Sequence, residues 1–153
     1  MEEFKKTNFV RERPGEDFPA YESLEAAVAK AIHDKIAMIV GAIGVEDPVA
    51  LARAVDACER PVVGPGSDAE RESFDLLEIF GRLGIAPMQH CYINWHNFEN
   101  IDRLETKALA KYFDDVWYPS SDDIDVWDDS YDWIVSVHHS GGIRHATFAK
   151  KPP

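Results

Sequence analysis

Eight aspartates (Asp114, Asp115, Asp122, Asp123, Asp125, Asp128, Asp129 and Asp132) fall within twenty residues that hold no Lys or Arg, and Trp117, Tyr118, Trp127, Tyr131 and Trp133 are interleaved among them. Such a run suits two kinds of chemistry. The carboxylates can hold a divalent cation, or they can meet Lys and Arg of another protein while the rings fill its pockets. In an interface, buried Trp and Tyr supply most of the binding energy and charge sets the association rate and the choice of partner. The calcium version fails on spacing. An EF-hand loop counted from Asp123 needs Gly at its sixth position and Glu at its twelfth, where this chain has Asp128 and Ile134. The interface version predicts that a strand over Ile124–Trp127 turns Ile124 and Val126 into the core and presents Asp125 and Trp127 together outside. Its expected contact residues are Asp122, Asp123, Asp125, Asp128 and Asp129, with Trp117, Tyr118 and Trp127.

The histidines offer a second chemistry. His90, His96, His138, His139 and His145 fall in segments with strand character. If Gly141-Gly142 is a two-residue hairpin loop, Ser140 pairs with Ile143 and His138 lies opposite His145. A strand bearing His90 and His96 alongside would then gather the three or four imidazoles that zinc, iron or copper sites use. The expected ligands are His90, His138 and His145, with zinc or another divalent metal as cofactor in that reading. The alternative is a set of ordinary hydrogen-bonded sheet histidines, and a one-residue slip of register decides between the two. The chain has no GxSxG, HExxH, P-loop or GxGxxG motif. Cys91 and its strand neighbour His90 point to opposite faces, so they form no direct thiolate pair. Cys58 and Cys91 form no CxxC spacing, and both read as reduced core thiols.

These residues need a scaffold. Apolar residues at Leu24, Val28, Ala31, Ile32 and Ile39 predict a helix from Tyr21 to Val40, and Ile36–Val40 reads equally as a short buried strand. Asp47 as N-cap and Pro48 at the first helical position start a second helix that runs to Cys58. Ser67 and Glu70 form a capping box ahead of Phe74, Leu77, Phe80 and Leu83, with Gly84 closing that helix. Met88–Phe98 predicts a strand. Asp102 and Glu105 predict the cap of a fourth helix, which ends near Asp115. A β-meander follows, over Ile124–Trp127, Tyr131–His139 and Ile143–Ala149. The expected architecture is α+β, with N-terminal helices packed on a C-terminal antiparallel sheet, as one domain over 21–150 behind a flexible segment over 1–20.

The 153 residues carry a net charge of −12 and are 45% apolar, so a packed core is expected. The aspartate run holds two-thirds of that charge. An acidic chain repels nucleic acid and anionic membranes and favours cations and basic proteins. Met1–Arg13 lacks the apolar stretch of a signal peptide, and the longest apolar run, Ile36–Val45, is too short to span a bilayer. The cytoplasm is the expected location.

The run Trp117-Tyr-Pro-Ser-Ser-Asp-Asp-Ile-Asp-Val-Trp-Asp, followed by Asp132-Trp-Ile-Val-Ser-Val-His-His-Ser-Gly, resembles a pattern in small acidic bacterial proteins, some of them immunity proteins that neutralise a toxin of interbacterial competition. The likeness covers about a third of the chain and carries no catalytic residue. It implies tight one-to-one binding that occludes the active site of a basic toxin, such as a nuclease. Two other readings stand beside it: a metal-dependent enzyme or sensor built on the histidines, and a regulatory module that forms a homodimer through its sheet or its Trp-rich face.

Overall fold

Short alternating segments, none longer than five residues, zip into one seven-stranded antiparallel sheet in the order β1-β4-β3-β5-β6-β7-β2. The computed structural model describes residues 1–95 and 98–148. The strands are β1 (Tyr21–Ser23), β2 (Arg60–Pro61), β3 (His90–Asn94), β4 (Ile101–Glu105), β5 (Ile124–Asp128), β6 (Trp133–Val137) and β7 (Ile143–Thr147). The helices are α1 (Glu3–Glu12), α2 (Ala26–Ile39), α3 (Pro48–Cys58), α4 (Leu76–Arg82), α5 (Thr106–Lys111) and α6 (Phe113–Val116). The class is α+β, as expected. No helix among the described residues is long and apolar enough to cross a membrane.

The sheet is covered on both faces. Val126, Trp133 and Val135 pack with Leu76, Phe80, Leu109 and Trp117 from α4, α5 and the end of α6. Their alternate neighbours Trp127 and Ile134 pack with Ile32, Ile36, Leu51 and Val55 of α2 and α3. The period-two alternation on β5 is therefore real, but its second face meets helices and not water. Trp127 has no exposed surface and Trp117 is 2% exposed.

Local signals were overridden where pairing partners competed for the chain. Tyr21–Ser23 leaves the predicted helix to pair with Asp102–Leu104 of β4, so Asp102 lies in a strand and the next helix starts only at Thr106. Ile36 is helical, which decides the ambiguous segment for α2. Ser67 and Glu70 make no capping box; Asp75 caps α4, accepting the amides of Leu77 and Glu78. Asp47 and Pro48 start α3 as expected, with the Asp47 carboxylate accepting the Val49 amide at 3.1 Å. The segment expected to be loose holds a docked helix, since Lys5 and Phe9 of α1 are buried. Of the predicted strands, His96 and Asn97 within Met88–Phe98 and the last residue, Ala149, of Ile143–Ala149 lie outside the described residues.

The last hairpin departs from the expected two-residue loop. Val137 pairs with Ile143 and Val135 with His145, three residues out of the expected register. The cause is tertiary. The Ala69 amide donates to the Gly141 carbonyl at 2.9 Å, and Asp68 bridges to Gly142, so a neighbouring segment grips the turn. Gly141 has φ +80°, and a Cβ there would meet Asp68 Oδ1 at 2.5 Å, so only glycine fits this approach.

Candidate functional site

Three aspartates of the 114–132 run, Asp115, Asp122 and Asp128, are buried. Asp122 is buried against Lys5, a fully buried ammonium that also donates to the Val116 carbonyl at 2.8 Å and lies 4.1 Å from the centroid of Trp95. The Asp122 carboxylate accepts the Tyr118 amide at 2.8 Å, and its backbone carbonyl accepts the indole N–H of Trp117 at 2.8 Å. Asp128, 1% exposed, accepts the amides of Met88 and Ser130 at 2.8 and 2.9 Å. Asp115 takes Arg13 at 2.8 Å, and the exposed Asp129 accepts the Tyr92 hydroxyl at 2.5 Å. The expected surface of Asp122 and Asp128 beside Trp117 and Trp127 is thus absent: burial claims both rings, and a buried carboxylate must be paired or hydrogen-bonded. Tyr118 stays half-buried against Asn8, whose amide lies 3.4 Å from its hydroxyl.

The histidines do not converge as expected either. Cys91 pairs with Asp128 at one end of β5, while Ile124 at its other end pairs with Val137. His90 and His138 therefore lie at opposite ends of the sheet. The register shift puts His145 opposite Val135, in mid-strand, where burial lowers its pKa. Cys91 is buried, as expected, and burial pushes its thiol up to about 12, which leaves no thiolate for nucleophilic chemistry. Cys58 is exposed at the end of α3, against the expectation of a core thiol.

What the fold does assemble is a cleft of about 160 Å³ where the end of α3 overhangs β5, β6 and β7. Asp56, Glu59, Asp123 and Asp125 line it, with Ser136, His138 and Arg144. Arg144 on β7 fixes the overhang: its guanidinium donates to the Asp56 carbonyl at 3.0 Å, capping the open end of α3, and stands 3.6 Å from the Glu59 carboxylate. The pairing of Arg60 with His145 and of Pro61 with Arg144 holds the following strand in place.

On the cleft floor, Ser136 stands between two carboxylates, within hydrogen-bond reach of Glu59 and 2.6 Å from Asp125. Asp125 also accepts the Asn94 amide group at 2.7 Å. One hydroxyl has one proton to donate, so two ionised carboxylates cannot both be served by it. A proton on Glu59 relieves the conflict between the two carboxylates. Burial, with Asp125 and Asp56 nearby, raises the Glu59 carboxyl from 4.5 to about 7, against the hydrogen bond from Ser136 and the charge of Arg144. Glu59 Oε2 is buried without a hydrogen-bond partner.

At the cleft mouth, Asp123 accepts the His139 amide at 2.8 Å and the His139 ring nitrogen at 3.0 Å. Burial pushes its carboxyl up, but those two hydrogen bonds and the neighbouring imidazoles outweigh it and hold Asp123 below the usual carboxylate range.

No family model, no curated protein and no solved structure matches the chain.

Of the cleft residues, only Asp123, Asp125 and His138 stood out in the sequence. Ser136 had a usable signal, being a polar residue inside the apolar run Trp133-Ile-Val-Ser-Val137 that must find a partner when buried. Asp56, Glu59 and Arg144 had none, because nothing local says that the end of α3 meets β7.

Proposed function

We propose that the chain is a protein-binding inhibitor of the immunity type, which neutralises a basic toxin such as a nuclease by occluding its active site, with the acidic cleft receiving a Lys or Arg side chain of that partner. The observation that carries this reading is the cleft itself: four carboxylates and one guanidinium around a space of about 160 Å³. Sites for small-molecule ligands span roughly 300–1,000 Å³. The cleft is smaller than these and suits one inserted side chain, and its charge favours a cation. Val49, 53% exposed, lies on the same face of α3 as Ala52 and Asp56, at spacings of three and four, and offers apolar contact along that face.

In this reading the working charges are Asp56 and Asp125, and Asp122 and Asp128 support the fold. The reading as a self-pairing module has less behind it. The edge strands β1 and β2 are three and two residues long, which leaves little backbone for a second copy to zip onto. The test is a binding titration against basic nuclease-type proteins as candidate partners, repeated as salt is raised. The reading expects one-to-one binding that weakens steadily with ionic strength and blocks the partner's activity. Binding that is absent, or indifferent to salt, would end it.

A further inference from the structure

Beyond partner binding, we infer that Asp123, His138 and His139 form a binding site for a borderline divalent transition metal ion, with Zn²⁺ as the ion it suits best. A ligand atom from each of the three side chains lies within 4.8 Å of the others, and among the described residues no other group of His, Cys, Asp and Glu comes together in this way. The His139 Nδ1 to Asp123 Oδ1 distance is 3.0 Å, and that from His138 Nε2 to the same oxygen is 3.6 Å. Tetrahedral ligands about 2.1 Å from a zinc ion stand about 3.4 Å apart, so these two distances bracket what the ion needs. Two imidazoles with one carboxylate are a donor set for zinc and its neighbours and a poor one for calcium or magnesium, which prefer all-oxygen shells.

The backbone holds this arrangement. The rule that strand neighbours point to opposite faces lapses here because β6 ends at Val137, and past it the two rings swing together to a centroid separation of 3.8 Å. The His138 amide donates to the Gly142 carbonyl at 2.9 Å and closes the turn. The Ser120 amide donates to the His139 carbonyl at 2.7 Å and ties the loop that leads to Asp123 onto that turn. The Ser140 hydroxyl and amide lie 2.8 and 3.3 Å from His138 Nδ1, the ring nitrogen away from Asp123, and so fix the ring with Nε2 toward the ion. His138 and His139 are each about half exposed, so water has access to the remaining coordination position. Asp123 and His138 both line the cleft, and the bound ion therefore sits at its mouth. The ion displaces protons from the imidazoles, so binding weakens in acid.

The experiment is equilibrium dialysis of the tag-free protein against Zn²⁺, with metal content measured per chain, and a parallel titration with Co²⁺ followed by its visible absorption. One Zn²⁺ per chain is expected, together with the intense cobalt bands of a tetrahedral site. His138→Ala and His139→Ala should each weaken Zn²⁺ binding at least tenfold, and Asp123→Asn should do so as well, while His145→Ala leaves it unchanged. All four variants are to be checked for an unaltered unfolding midpoint, which the exposure of the two rings favours. No binding at millimolar Zn²⁺, or binding that survives the loss of both His138 and His139, would overturn the assignment.

Discussion

Asp122 illustrates how one carboxylate can be misread. Its charge faces the fully buried ammonium of Lys5, whose pKa is lowered by burial against the opposing pull of Asp122. Removing one member of a buried ion pair leaves the other charge uncompensated, at a cost of about 3–5 kcal/mol. Asp122→Asn is accordingly expected to lose stability on that scale in urea unfolding. A variant as stable as the parent would mean that Asp122 is a surface group after all. Glu59 makes a pH prediction. Its folded-state carboxyl titrates near 7, above its ordinary 4.5, so between those values the native state keeps a proton that the unfolded chain releases. Its contribution to stability is full below about 4.5 and is lost as pH rises through about 7, on the order of 3 kcal/mol in all. Glu59→Gln should remove that decline and be more stable than the parent at pH 8. If urea titrations at pH 5 and pH 8 show the same difference in both proteins, Glu59 is not the buried acid described here.

Among the elements, β5 decides the reading of the aspartate run. Its alternation of Ile124 and Val126 with Asp125 and Trp127 was legible in the sequence, and so was α3 with its Asp47 cap, because both rest on local spacing and local hydrogen bonds. What lies over the second face was not legible. An alternating strand reads the same whether its second face meets water or helices, and here α2 and α3 close over Trp127. Non-local contacts also took the last hairpin out of its expected register, through the grip of Asp68 and Ala69 on Gly141 and Gly142, and separated His138 from His145. The candidate site was the least legible part, since Glu59 and Arg144 lie 85 residues apart in sequence and meet only through the β2–β7 pairing. Trp127→Ala tests the covered face. A fully buried tryptophan cut back to alanine loses about 3–5 kcal/mol, whereas a surface anchor would lose almost nothing from the fold. A shift in unfolding midpoint is the measurement.

For the molecule as a whole, the net charge of −12 is unevenly used. Part of it neutralises cations such as the buried Lys5 and the partly exposed Arg13, and part converges on a cleft with one guanidinium. The first part serves the fold, and the second lines the cleft that the proposed function assigns to a partner. The proposed function therefore rests on where the cleft is, more than on how acidic the chain is. Charge reversal separates the two. Asp56→Lys alters the cleft wall at an exposed helix end, where a cation is well tolerated by the helix dipole, and Asp129→Lys alters the outward remainder of the aspartate run. The most direct measurement is the affinity of both variants for the basic partner, taken side by side at low salt. Asp56→Lys is expected to weaken binding by about tenfold or more, and Asp129→Lys by no more than about threefold. A larger loss from Asp129→Lys, or equal affinity in both variants and the parent, would contradict the cleft as the working surface.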